Sequence, residues 1–239
     1  MGMEKIPSFG GKTRINGWMM LSREKSMSFR NMVQGKGNYD HNFCLKLNKF
    51  FARNATKRRV AIDVGASYGF VSEYLAGAFH KVKSFEIVPQ IRECLIENVS
   101  YRALAAVEVF PYGLGEEEGE IDVYFNPIYT GHSSHYKNID IQNDEPLRCE
   151  VRTLDSFEFD EVDFIKIDVE GFELQVLRGA LETIKRHRPV ITTEHSMQTP
   201  SAVKNSFGVV ELMESLDYEY IRTIGGDFIW SPKEYNHIV

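Results

Sequence analysis

From residue 60 onward the chain alternates short, continuously apolar runs with longer stretches whose apolar residues recur at helical spacing. Val60–Val64, Val82–Val88, Val107–Phe110, Phe164–Val169 and Val190–Glu194 read as strands apolar enough to be covered on both faces. Between them, Val71, Tyr74, Leu75 and Ala78 stripe one helix. Ile91, Leu95, Asn98 and Val99 stripe a second behind Pro89, and Leu174, Leu177, Leu181 and Ile184 stripe a third that Pro189 stops. Val209, Leu212, Met213 and Leu216 mark a last helix. Tyr218–Ile224 and Phe228–Trp230 then flank Gly225-Gly226-Asp227, a hairpin signal. This alternation predicts an α/β fold: a mostly parallel sheet, helices on both faces, and an antiparallel hairpin at one edge. Glu116–Glu150 interrupts it with one alternating strand (Ile121, Val123, Phe125) and a polar stretch, an insertion expected to form a substrate lid. Residues 1–38 are weakly patterned and are expected to be a partly flexible extension to a domain spanning 39–239. A short helix carrying Phe43, Leu47 and Phe50 on one face follows them.

Composition narrows the class. A chain of 239 residues with 43% hydrophobic content fills one substantial core. Its net charge of −6 argues against nucleic acid as a partner, and the local run Arg53, Lys57, Arg58 and Arg59 reads as a solvated helix end. Cys44, Cys94 and Cys149 are widely spaced and odd in number, which points to reduced thiols. No signal-like apolar core opens the sequence, and no apolar run reaches the roughly 20 residues of a membrane span. The expectation is a cytoplasmic protein.

Candidate chemistry centres on the turn after the first of these strands, where open α/β sheets bind ligands. The loop Gly65-Ala66-Ser67-Tyr68-Gly69 lacks the GxGxxG spacing of a dinucleotide fingerprint, and Asp63 stands in front of it. A carboxylate there opposes a diphosphate but suits a cationic ligand carrying an amino acid. S-adenosylmethionine is such a ligand: a sulfonium with an α-amino group and no phosphate. Glu86, with Ile87 beside it, ends the second strand where a carboxylate can accept both ribose hydroxyls.

At these residues the chain resembles a known family. VAIDVGASYGFVS, SFEIVP, GLGEEEGEIDVYF, GHSS, VRTLDSF, FIKIDVEGFELQVLRGA and ITTEH occur in the order found in the FkbM family of S-adenosylmethionine-dependent methyltransferases, over roughly residues 60 to 195. The resemblance implies a Rossmann-like class I methyltransferase fold with a seven-stranded sheet whose last strand is antiparallel. It also implies O-methylation, often of sugars or hydroxylated natural products, with S-adenosylhomocysteine as product. The acidic residue that many class I enzymes carry after the third strand is replaced by Phe110-Pro111-Tyr112-Gly113-Leu114, so adenine recognition is expected to rest on the backbone and on Tyr112 or Leu114.

Methyl transfer to a hydroxyl needs positioning and often a base. Asp168 is the first candidate, though Lys166 on the same strand face makes a structural ion pair the alternative. Glu170 is either a second acid–base group or a helix cap, and His195 and the insertion's His132 are further candidates. Ser133, Ser134, Glu194 and Tyr39 are expected at the substrate, with His135, Asp40 and His41 nearby. Asp168, Glu170, Glu194 and His195 offer an oxygen-rich set for a divalent ion, but no dedicated ligand spacing is present and no metal is assigned. The expected acceptor is a hydroxyl of a sugar, glycan or related small metabolite. RNA ribose 2′-O-methylation and a non-catalytic binding module remain the alternatives.

Overall fold

The computed structural model describes residues 11–22, 25, 41–54, 57–125, 127, 146–195 and 200–235. The chain begins with a hairpin, β1 (Lys12–Ile15) and β2 (Trp18–Leu21), and helix α1 (His41–Arg53). Then follow β3 (Val60–Val64), α2 (Phe70–Ala76), β4 (Lys81–Phe85), α3 (Pro89–Tyr101) and β5 (Val107–Phe110). β6 (Gly113–Leu114), β7 (Gly119–Val123) and β8 (Leu147–Arg152) come next. A 3₁₀ turn (Asp155–Phe157) leads to β9 (Phe164–Ile167), α4 (Glu173–Arg178), α5 (Leu181–His187) and β10 (Val190–Glu194). Helix α6 (Pro200–Ser215) and the pair β11 (Tyr218–Ile224) and β12 (Asp227–Pro232) close the fold.

The main sheet has seven strands in the order β11–β12–β10–β9–β3–β4–β5. β5, β4, β3, β9 and β10 are parallel, while β12 lies antiparallel between β10 and β11. The α/β class read from the strand–helix alternation is therefore present. Continuous apolar strands follow from burial on two sides. Ala61, Phe164 and Val190 pack with Leu47 and Phe51 of α1 and Leu75 of α2. Ile62, Ile165 and Ile191 face the other way, onto Leu177 of α4, Ile184 of α5 and Met213 of α6. The chain leaves β3 toward β4 and leaves β9 toward β10, on opposite sides. The β3–β9 boundary is thus a switch point, and a crevice opens at their carboxyl ends.

The structure departs most from the sequence pattern in four places. β4 stops at Phe85, not Val88, because a Glu86 carboxylate oxygen takes the Val88 N–H and Pro89 starts a helix. The apolar stripe from Leu174 to Ile184 is two helices. A Cβ on Gly179 would sit 1.8 Å from the Gly115 carbonyl oxygen, and Asp155 caps the second helix through the Glu182 and Thr183 N–H groups at 3.0 and 2.8 Å. The insertion contributes β7 and also an unforeseen β8, which with β6 form a separate three-stranded sheet.

The fourth departure is the N-terminal hairpin inside a segment that carried little pattern. Two strands alone are marginal, so packing must hold it. Trp18, Met20 and Leu21 are buried against Tyr68, Phe70, Val88, Ile91 and Cys94, each contributing about 1.5–3 kcal/mol. Asn98, which looked like part of an apolar stripe, accepts the Met19 N–H at 2.6 Å and donates to the Met19 and Tyr68 carbonyls, both at 3.0 Å. One buried amide thus ties the hairpin to the glycine loop.

Candidate active site

The loop after β3 is built on left-handed backbone. Gly65, Ser67 and Gly69 have φ of +76°, +51° and +90°. The missing side chains make room for protein: a Cβ on Gly65 would lie 1.9 Å from the Asp168 carbonyl oxygen, and one on Gly69 would lie 2.6 Å from Leu95 Cδ1. The glycines therefore seat the loop directly against the turn after β9. Glu86 closes the other side, its two oxygens accepting the Ser67 and Val88 N–H groups, each at 2.8 Å. Burial pushes its carboxyl up to about 7, against the pull of those N–H groups and of Arg92. Each oxygen keeps a free lone-pair site for a hydroxyl.

Other predicted cofactor residues sit differently from one another. Ala66 and Tyr68 are buried, Tyr68 packing into the hairpin, so only their backbones front the loop. Ile87 is half-buried and leans on Gly113, where a Cβ would meet its Cδ1 at 2.5 Å. Leu114 is buried and points into the main core, while Tyr112 is half-buried under the Arg152 guanidinium, 4.2 Å from its ring centroid.

Asp63 lies beneath this loop with no solvent exposure. It belongs to a polar row crossing the sheet at registered positions, Ser84–Asp63–Lys166–Thr192, all buried. Ser72 of α2 donates to Asp63 at 2.6 Å, and Lys166 Nζ stands 3.8 Å from Asp63 and 2.9 Å from Asp168. Burial raises the Asp63 carboxyl, opposed by Lys166 and Ser72. The ion pair weighed for Asp168 is thus present, and it joins the floor of the loop to the turn after β9.

Three carboxylates meet beyond the carboxyl ends of β9 and β10. Asp168, Glu170 and Glu194 each place an oxygen within 4.8 Å of the others, a spacing a divalent cation could bridge. The Glu170 carboxyl reaches solvent, yet the crowding of protein around it first, and then the charges of Asp168 and Glu173, push it up to about 8. Burial, with Asp168, Glu170, Glu173 and Asp227, pushes Glu194 up to about 9. Carboxylates this close cannot all ionise, so the group holds protons at neutral pH. Glu170 adopts φ +53° in the turn, and Gly171 follows at +96°.

That turn is held by a residue the sequence reading passed over. Glu173 is buried, accepting the Gly171 and Val169 N–H groups at 3.0 and 3.4 Å and the Asn205 amide at 2.5 Å. Asn205 also accepts the Leu174 N–H at 3.1 Å, fixing α6 to α4. The signal available was the second acid of VEGFE, three residues after the first. His195 is not part of that trio: its ring stacks on Phe228 at 3.7 Å between centroids, and its Nε2 is 3.2 Å from Thr193 Oγ1. Burial lowers it to about 4, so it is a neutral ring and a weak base. His41 lies beside Tyr74, Nδ1 to hydroxyl 3.3 Å. Tyr39, Asp40, His132, Ser133, Ser134 and His135 lie outside the described residues. All three cysteines are buried and outside any disulfide among the described residues, and no described helix is long and apolar enough to cross a membrane.

Comparison with known proteins adds the family. Methyltransferase 1 of Beauveria bassiana is 25% identical over 141 residues, which cover 49% of this chain and 57% of that protein. Hexuronic acid methyltransferase AglP of Haloferax volcanii is 28% identical over 155 residues, covering 65% of this chain and 64% of the relative. Both matches thus span less than two thirds of the relative's length. In fold, the chain is similar to the methyltransferase FkbM of Methylobacillus flagellatus, with a TM-score of 0.50 and 21% identity over 72% of this chain and 43% of that one. The profile of the methyltransferase FkbM domain matches residues 63–220, from the acid before the glycine loop to the edge strand of the sheet. The chain belongs to the FkbM methyltransferase domain family.

Proposed function

We propose that this chain is an S-adenosylmethionine-dependent O-methyltransferase whose acceptor is a hydroxyl of a sugar, a glycan or a related small metabolite. The observation that carries the reading is the trio Asp168, Glu170 and Glu194, set against a glycine loop that touches the same turn. The ligand-facing chemistry fits the cofactor. Glu86, Asp168 and Glu170 flank the loop above the sealed Asp63, and the nearby Lys166 is committed to Asp63 and Asp168. A diphosphate would meet these carboxylates, whereas a cation bearing a ribose would be welcomed. The loop backbone and Glu86 would hold the nucleoside, with Ile87 and Tyr112 alongside. Bound there, S-adenosylmethionine supplies a methyl group activated by a sulfonium, which departs as a neutral thioether.

The chain's own residues then have two tasks. Lys166 holds Asp168, and Glu173 holds the turn, so the carboxylates are fixed relative to the loop. Glu170, the most exposed of the three, takes the acceptor hydroxyl's proton; a carboxyl near 8 is well matched to that work. Glu194 binds the acceptor, and the His195–Phe228 stack forms a wall beside it that continues through Tyr220 into a cavity of about 660 Å³. An aromatic wall next to hydrogen-bonding carboxylates suits a sugar, and the likeness to a hexuronic acid methyltransferase agrees. Calorimetric titration of S-adenosylmethionine tests the reading: one site in the native chain, lost in Glu86→Ala. No binding, or equal binding by the variant, would overturn it.

A further inference from the structure

A second site is written in the outer edge of the sheet, independent of methyl transfer. Lys46, Lys49 and Arg53 fall at i, i+3 and i+7 along α1, one stripe of the helix, and they face the edge strand β11. The pairing of β11 with β12 slips between Tyr220 and Arg222, a bulge that admits one extra residue. Consecutive Ile221 and Arg222 thereby both reach α1. Ile221 packs with the cluster holding Phe43, Leu47 and Phe50, and Arg222 joins Lys46, Lys49 and Arg53 around a groove of about 240 Å³. Phe50 and Ile224 form its apolar floor, and Thr223 lies at its wall.

The charges there are uncompensated. In a chain of net charge −6, many other described cations pair with acids, as Arg59 does with Asp163 and Arg188 with Glu234. The side chains of Lys46, Lys49, Arg53 and Arg222 form no ion pair with any described residue, and the buried Nε–H of Arg222 has no hydrogen-bond partner among them. A buried donor left unsatisfied is costly, which an anion would relieve.

We propose that this groove binds a multiply charged oxyanion of the phosphate class, carried by a small molecule. Four cations around so small a volume suit a pyrophosphate or phosphate monoester. A nucleic-acid backbone instead needs cations spread along a track and a field that attracts polyanions, and this chain is acidic overall. The groove ends at Ile224, three residues before Asp227, which registers opposite Glu194. It therefore flanks the proposed acceptor side at about 10 Å, two strand spacings, from β10.

Titration of pyrophosphate and of inorganic phosphate into the full chain at low salt tests this. Expected is saturable binding, tighter for pyrophosphate, weakened about tenfold or more by Arg222→Gln and by the exposed pair Lys46→Gln/Lys49→Gln. S-adenosylhomocysteine affinity, measured alongside, stays unchanged in these variants. Pyrophosphate binding weaker than about 1 mM, equal affinity in the variants, or a preference for oligonucleotides or anionic vesicles over pyrophosphate overturns the proposal.

Discussion

Replacing Glu194 by glutamine is expected to make the protein more stable and less active, with the gain confined to neutral and alkaline pH. The unfolded carboxyl ionises near its ordinary value of 4.5, while in the fold burial and the neighbouring acids hold it up to about 9. A folded value above the unfolded one means that stability is full below about pH 4.5 and is lost as pH climbs through the folded value. At about 1.4 kcal/mol per pH unit, the loss by pH 7 would reach about 3 kcal/mol for an isolated carboxyl. Partial solvent contact and sharing of the proton with Asp168 and Glu170 reduce this to about 1–2 kcal/mol. Glutamine keeps the shape and removes the charge. Thermal unfolding should therefore show Tm raised by about 2–8 °C at pH 8 and unchanged near pH 4.5. Equal shifts at both pH values, or destabilisation at pH 8, would refute the claim that the carboxylates repel one another across the crevice.

Other perturbations follow from single contacts. Gly65→Ala places a Cβ 1.9 Å from the Asp168 oxygen on backbone of φ +76°, so stability should fall by at least about 3 kcal/mol in urea unfolding, with cofactor binding lost. Lys166→Met leaves the sealed Asp63 without its cation and should cost about 3–5 kcal/mol, largely recovered by adding Asp63→Asn; a neutral single variant would contradict the buried pairing. Glu173→Ala frees three donors and should cost about 3 kcal/mol or more, with faster hydrogen exchange at residues 168–172; Asn205→Ala should show a weaker form of the same pattern. Because a base must be ionised, kcat should rise as pH passes about 8 and flatten in Glu170→Gln.

What the sequence disclosed depended on whether a feature was local. The buried strands were legible because burial on both faces forces nearly continuous apolar runs such as Phe164–Ile167, broken by Lys166 alone. The glycine loop was legible because its positive φ values demand glycine at two positions. Less legible were features set by contacts distant along the chain. The hairpin β1–β2 draws its stability from Trp18 and Met20 meeting α3, and LRCEVR of β8, though it alternates apolar and polar residues, straddles the end assigned to the insertion at Glu150. The stripe through Gly179 looks continuous until Gly115 approaches it. At the site, Asp63 was found as a residue but misplaced in depth: it supports the loop from below. Glu173 was missed because a buried acid bound to backbone N–H groups has the same letter as an exposed one.

The most direct test of the central claim is transfer of a labelled methyl group from S-adenosylmethionine to a panel of monosaccharides and glycans, reading both the label's linkage and the S-adenosylhomocysteine formed. The account expects equal amounts of S-adenosylhomocysteine and of a product methylated on oxygen, with turnover reduced at least about a hundredfold in Glu170→Gln. Label found on nitrogen or carbon, or turnover unchanged when Glu170 is replaced, would contradict it.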